Sequence, residues 1–374
     1  MRIVVVGRGL IGSAAARHLA LAGHEVLLVG PSEPGEKASH RGVFASHYDQ
    51  ARITRGLDED PFWSAVSRAS IARYRALERV SGVPFYHPVG ALLTGAAGGR
   101  IEAVGAVQRN AGVAAEKLEA AALAARFPYF QFAPDTLGYF EAQEAGWINP
   151  RAMVRAQGVA ASHAGARILD AEVLGLEEGG EGVLIRLAGE TLAADRVLVA
   201  AGGFSPQLVD VDLRVLARTI TLFEVSDAQA AELAAQPSLI RFHPDGHETY
   251  LLPPVRYSDG KPYLKLGGEP EDVEVSGAAI GDWFRSGGSE AVSAQSETEF
   301  RALMPGVAVK SIYRDACVVS YSANTLPVLK QLSERVSVAC GGCGKAAKNA
   351  DELGRIAGQI LLGQGDAGYE AALL

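Results

Sequence analysis

The sequence predicts an α/β fold of two domains, the first of them a Rossmann-type nucleotide-binding unit, and three observations carry that expectation. The chain opens with a buried strand, a glycine turn, a small-residue helix and a second strand within its first 30 residues. Tyr250–Leu266 reads as strand material interrupted by a Ser258-Asp259-Gly260 turn, consistent with a second, sheet-bearing domain. A chain of 374 residues also exceeds the ~250–300 that one hydrophobic core serves.

The elements follow in order. Ile3–Val6 is β-branched without alternation, as expected of a strand buried on both faces. The apolar run stops at Gly7-Arg8-Gly9, too early for the core of a secretion signal. Gly12 to Ala22 reads as a helix with Gly23 just past its end, and Glu25–Val29 as the second strand. The turn is Gly7-x-Gly9-x-x-Gly12. Gly7 permits the tight turn, Gly9 lets backbone approach a pyrophosphate, and Gly12 allows close helix–strand packing. The helix N-terminus offers unpaired N–H groups to the anion, and Leu10 and Ile11 in the turn are further expected cofactor contacts. The second strand should end in an acid for the ribose hydroxyls, but that position is Gly30, with Glu33 the nearest substitute. The motif by itself leaves FAD, NAD and NADP open.

Composition excludes several classes. Against 43 Asp and Glu stand 35 Lys and Arg, giving −8, which argues against nucleic acid or an anionic membrane as partner. No apolar run approaches the ~20 residues needed to span a bilayer. Three cysteines cannot build a disulfide framework, and an odd count suits a reducing, cytoplasmic setting. Cys340-Gly-Gly-Cys343 is a lone CxxC without further zinc ligands. His243 and His247 have metal-like spacing, but Pro244 and Gly246 make that segment a turn, so no metal is expected. Neither GxSxG nor a P-loop occurs.

Six segments in order resemble the D-amino-acid-oxidase superfamily of FAD enzymes, specifically its monomeric sarcosine oxidase-like branch. They are Ser46-His47-Tyr48-Asp49-Gln50-Ala51-Arg52-Ile53-Thr54-Arg55, Gly146-Trp147-Ile148-Asn149-Pro150 and Arg196 to Gly203 after a strand-like Ala171–Leu176. Tyr263-Leu264-Lys265-Leu266-Gly267, Cys317, and Gly341-Gly342-Cys343-Gly344-Lys345-Ala346-Ala347-Lys348 complete the set. The resemblance covers essentially the whole chain.

It implies an FAD domain at 1–84, 147–220 and 315–374, interleaved with an α+β substrate domain at 85–146 and 221–314 that carries a mostly antiparallel sheet. FAD would contact Gly7, Gly9, Gly12, Glu33, Ser46, His47, Arg52, Val173, Gly202, Gly342, Gly344, Lys345 and Lys348, and could be linked covalently through Cys317. His47 or Arg52 would stabilise the Cys317 thiolate. Lys265 would be the cation near the flavin at which oxygen is reduced. Arg55 and Lys348 would hold the substrate carboxylate, a fork beside a point charge, with Tyr250, Glu269 and Val319 completing the substrate site. Arg52, one turn before Arg55 if helical, would face the flavin. The C-terminal helix, expected over Lys348–Leu362 with Asn349, Asp351 and Glu352 as its N-terminal signals, would point its positive end at the flavin.

The implied activity is oxidation of the C–N bond of an amino acid or N-alkyl amino acid to an imine, oxygen leaving as hydrogen peroxide, in a monomer or small homo-oligomer. Departures at Glu269, Val319, Gly342 and Lys345 point away from sarcosine and towards a larger or more cationic amine. Two alternatives stand beside this: a dehydrogenase with another electron acceptor, and a non-catalytic dinucleotide-binding subunit.

Overall fold

The computed structural model describes residues 1–268, 271–365 and 369. Its first sheet has six strands in the order Val328–Gln331, Val336–Cys340, Arg196–Val199, Arg2–Val6, Glu25–Val29, Arg167–Leu169. All neighbours are parallel except the edge strand Val328–Gln331. The inner strands bury nearly every residue, which is why they read as unbroken apolar runs. A three-stranded antiparallel sheet, from Val173 to Ala194, packs its inner face onto this one.

The small residues of the first helix, Leu10–Leu21, have a packing reason. A Cβ at Gly354 of the C-terminal helix Ala346–Leu361 would lie 2.6 Å from the Ala14 Cβ, so the two helices meet at backbone distance. That contact is fixed by buried charge. Asp351 is fully buried and accepts from Arg17 of the first helix, Arg73 of helix Pro61–Ser81 and Gln157 of helix Pro150–His163 (2.8 Å). Asp351 and Glu352 are therefore not N-terminal signals. The helix starts two residues before the expected Lys348, and its N-cap, Lys345, makes no side-chain capping bond.

Burial works against the Asp351 charge, yet the His18 hydrogen bond and Arg17 outweigh it and hold the carboxyl far below the usual carboxylate range. Its contribution to stability is complete above the unfolded value of about 3.9 and is lost only as pH falls through the depressed folded value. Asp351→Asn should lower unfolding stability by about 1.5–3 kcal/mol, the worth of hydrogen bonds to a charged group. It should also flatten the acid limb of a denaturation curve. An unchanged denaturant midpoint at pH 7 would remove this cluster from the account of stability.

The second sheet has nine strands and is antiparallel apart from one parallel pair, Ala91–Ala96 with Ser238–Phe242. It contains Arg214–Glu224 paired along its length with Ser311–Tyr321, and Pro262–Gly267 beside Glu248–Arg256. Arg214–Glu224 and Ser311–Tyr321 run unbroken across residues 220/221 and 314/315, where domain boundaries were expected. The fold is thus the mixed α/β arrangement expected, a parallel Rossmann-like sheet beside a mostly antiparallel one.

Candidate active site

Ligands of open α/β sheets bind beyond the carboxyl ends of the parallel strands. The first cavity lies there, lined by Val6, Val29, Ala200 and Cys340 at four strand ends, and by Gly7, Gly9, Leu10 and Ile11. Gly7 has φ +112°, and a Cβ on it would overlap the Ala200 carbonyl oxygen. Gly12 sits beneath the turn, where a Cβ would overlap the Gly7 carbonyl oxygen. Gly9 caps the helix without any side-chain bond, so the first-turn N–H groups stay open to an anion. The uncapped start of the C-terminal helix reaches the same cavity at Gly344, Ala346 and Ala347. Ser46, His47, Val173, Gly202 and Gly342 also line it. A dinucleotide cofactor fits this cradle: glycines where backbone must approach, and two open helix starts for negative charge.

One expected ligand, Glu33, is placed differently. Glu33 is outside the lining and forms a bidentate pair with Arg151, its Oε2 2.9 Å from Nε. Gly30 has no room for an acid, because a Cβ there would stand 2.5 Å from the Arg8 N and 2.7 Å from the Arg8 Cβ.

A second cavity meets the first at Arg52, Val319, Gly344 and Ala347. Arg55, Tyr250, Cys317, Lys345 and Lys348 line it. Arg52 lies in a short strand, Arg52–Thr54, not a helical turn, and it touches both cavities. The deepest feature is a cluster around Asp58. Its Oδ1 accepts from Lys345 Nζ at 2.6 Å, and its Oδ2 lies 3.3 Å from the Arg55 guanidinium and 3.7 Å from Lys348 Nζ. The side chains of Arg55 and Lys348 are 6% and 3% exposed, so this charge is held away from bulk water. Burial opposes the Asp58 charge, but the three cations outweigh it and keep the carboxyl well below its usual range. Burial, with Arg55 alongside, pushes Lys348 well down. Glu141 stands behind, occupied by the N–H groups of Gly56 and Leu57. Arg55, Lys345 and Lys348 thus converge on one carboxylate, and the buried Arg55 Nε has no hydrogen-bond partner among the described residues. Such a site accepts a carboxylate. Lys345, expected at the cofactor, belongs to this cluster instead.

Lys265 is buried, and it is absent from the lining of either cavity. Its Nζ pairs with Asp49 and donates to the Ala51 carbonyl at 2.7 Å. Asp49 also accepts from Arg52 Nε at 3.0 Å and the Tyr257 hydroxyl at 3.1 Å. Burial pushes Lys265 down to about 8. Asp49 and Asp58 were not foreseen. Each lies three residues before or after an arginine already singled out, which was the one signal available.

Cys317 Sγ is 3.1 Å from the Arg52 guanidinium. His47 does not supply the cation for a thiolate, because burial, with Arg151, Arg52 and Arg8 nearby, pushes it down to about 3. Cys340 and Cys343 are free and buried, and burial pushes the Cys340 thiol up to about 12, so the CxxC carries no reactive thiolate. His243 and His247 stack with centroids 4.1 Å apart, and no metal-binding cluster occurs among the described residues. Among those residues no helix is long and apolar enough to cross a membrane. Glu269 lies outside the described residues.

The DAO family, described as FAD dependent oxidoreductase, matches residues 2–360. The chain is 26% identical to monomeric sarcosine oxidase of Streptomyces avermitilis over 96% of its own length and 93% of the relative's. It is also 26% identical to N-methyl-L-tryptophan oxidase of Yersinia pestis (strain Pestoides F), covering 95% and 93%. Among solved structures, a variant of NikD, an amino acid oxidase essential for nikkomycin biosynthesis, superposes with a TM-score of 0.80 at 19% identity, covering 99% and 96%. L-proline dehydrogenase from P. horikoshii gives 0.75 at 15% identity, covering 100% and 98%. At these identities the two structures speak for the fold alone.

Proposed function

The chain belongs to the DAO family of FAD-dependent oxidoreductases, and on that premise we propose that it oxidises the C–N bond of an amino acid or N-alkyl amino acid to an imine, with oxygen reduced to hydrogen peroxide. FAD, when bound, supplies the two-electron acceptor for the hydride equivalent leaving the carbon beside nitrogen. The observation that carries the reading is the Arg55–Lys345–Lys348 cluster around buried Asp58, with an unpaired Arg55 Nε, in a cavity that opens onto the cofactor cradle at Arg52 and Val319.

In this reading Arg55 and Lys348 hold the substrate carboxylate, and Asp58 keeps the cations in place. Tyr250 and Val319 bound the space in which the reacting C–H sits. Burial of the cluster excludes water and strengthens the hold on the carboxylate. Purified protein should be yellow, should bleach when a carboxylate-bearing amine is added without air, and should form one peroxide per amine oxidised in air. A colourless preparation, or a flavin that no such amine bleaches, would remove the reading.

One contact favours a second reading, the same oxidation with an acceptor other than oxygen. Lys265 is tied to Asp49, which offsets the charge that oxygen reduction would use. Fast bleaching followed by slow recolouring in air would select that alternative.

Cys317 and Arg52 form the proposed covalent attachment point. Acid-denatured wild type should retain its yellow colour in the pellet, and Cys317→Ser should release it to the supernatant. Free flavin from wild type would refute the linkage.

A further inference from the structure

The adenosine end of the cradle lacks its usual acid. Acids that hold ribose hydroxyls sit at the end of the second parallel strand. Here that position is Gly30, which the Arg8 backbone closes to any side chain. The two nearby candidates are engaged elsewhere. Glu33 is paired with Arg151 outside the cavity. Asp170 accepts from the Ser32 N–H (3.0 Å) and Ser32 hydroxyl and stands 3.6 Å from Arg8.

Among the described residues one acidic residue lines the cavity, Glu172. The strand Arg167–Leu169 lies beside Glu25–Val29 in register, Val29 opposite Leu169, and the Gly30 N–H donates to the Leu169 carbonyl at 3.1 Å. Glu172 follows that neighbouring strand end by three residues, so the acid is displaced by one strand and not lost. Its carboxylate is directed to the loop over the cavity, where a Cβ on Gly42 would meet Oε2 at 3.2 Å. Glu172 is half-buried and makes no hydrogen bond or ion pair among the described residues. A partly desolvated carboxylate without protein donors, on a residue that lines a ligand cavity, is a site for a ligand's donors.

We infer that Glu172 holds the ribose hydroxyls of the adenosine half of FAD, in place of the strand-end acid that Gly30 cannot supply. The inference rests on the FAD reading above and adds the residue that selects a dinucleotide over a mononucleotide. The glycine turn would hold the two phosphates, leaving Glu172 to discriminate on the adenosine alone.

The test uses the full chain with Cys317→Ser, so that flavin exchanges, stripped of cofactor and titrated with FAD and with FMN by fluorescence quenching. Glu172→Gln should weaken FAD by ~10–100-fold and leave FMN unchanged, the loss expected for charge-assisted hydrogen bonds. Glu33→Gln should leave FAD within about threefold, since Glu33 is outside the cavity. Competition by ADP and 2′-deoxy-ADP locates the contact. Unsubstituted Glu172 should prefer ADP, and Glu172→Gln should abolish that preference. Equal FAD affinity with and without Glu172, an equal loss for FMN, or a ribose preference that survives Glu172→Gln would each overturn the inference. If the chain with Glu172 intact binds no FAD at all, the cofactor reading fails instead.

Discussion

Arg55→Met should lower kcat/KM for a carboxylate-bearing amine by about 10³-fold, most of it through KM, while flavin content stays that of the wild type. The size follows from what the substitution leaves behind. Removing one partner of a buried charged cluster costs about 3–5 kcal/mol, because the others stay desolvated and unmatched. A factor of ten corresponds to ~1.4 kcal/mol, so three powers of ten lie inside that range. The KM signature follows because the carboxylate is remote from the reacting C–N bond and is held equally before and during reaction. Flavin is spared because Arg55 lines only the second cavity. Arg55→Lys should recover little, since a point charge cannot replace a fork that faces a planar anion. An amine without a carboxylate provides the internal control, and its already low rate should not fall further. If both amines lose activity alike, Arg55 supports the fold around Asp58 and does not hold substrate.

How much of this was legible in the sequence depends on the range of the interaction. The glycine turn is a local device, and Gly7, Gly9 and Gly12 stand where its geometry requires. The Ser258-Asp259-Gly260 turn within Tyr250–Leu266 likewise announced two strands, which the structure resolves as Glu248–Arg256 and Pro262–Gly267. Charge pairing was not legible, because it joins residues far apart in the chain. Lys265 meets Asp49 across more than 200 residues, and Lys345 meets Asp58 across nearly 300. Asp351 shows the same limit. As a local signal it resembles a helix-start acid, yet its partners lie on three other helices. Glu33 suits a ribose-binding role by its distance from the strand end, and only the position of Arg151 shows why it is not free. Local turn chemistry can therefore be read from a single sequence, whereas the charge state of a site cannot.

Lys265→Met should slow reoxidation of the reduced flavin by oxygen about 10²–10³-fold, with a far smaller effect on reduction by substrate. That is the magnitude typical of removing one preorganised electrostatic partner of a developing negative charge. The structure adds a condition to the expectation. Asp49 holds Lys265, and burial pushes that lysine down to about 8, so its charge depends on the pair surviving intact. A lysine whose folded value is lowered is charged below that value and neutral above it. Reoxidation in the wild type should therefore slow as pH rises through about 8, and this limb should vanish in Lys265→Met. Asp49→Asn separates charge from scaffolding. It leaves the lysine in place but removes the offsetting carboxylate, which lowers the lysine's value further. The limb should then move to lower pH, with fast reoxidation kept below it. If Asp49→Asn and Lys265→Met slow both half-reactions equally and shed flavin, the pair is a buried brace beneath Arg52. Oxygen reduction would then have to be sought at Arg52 itself, the cation that lines both cavities.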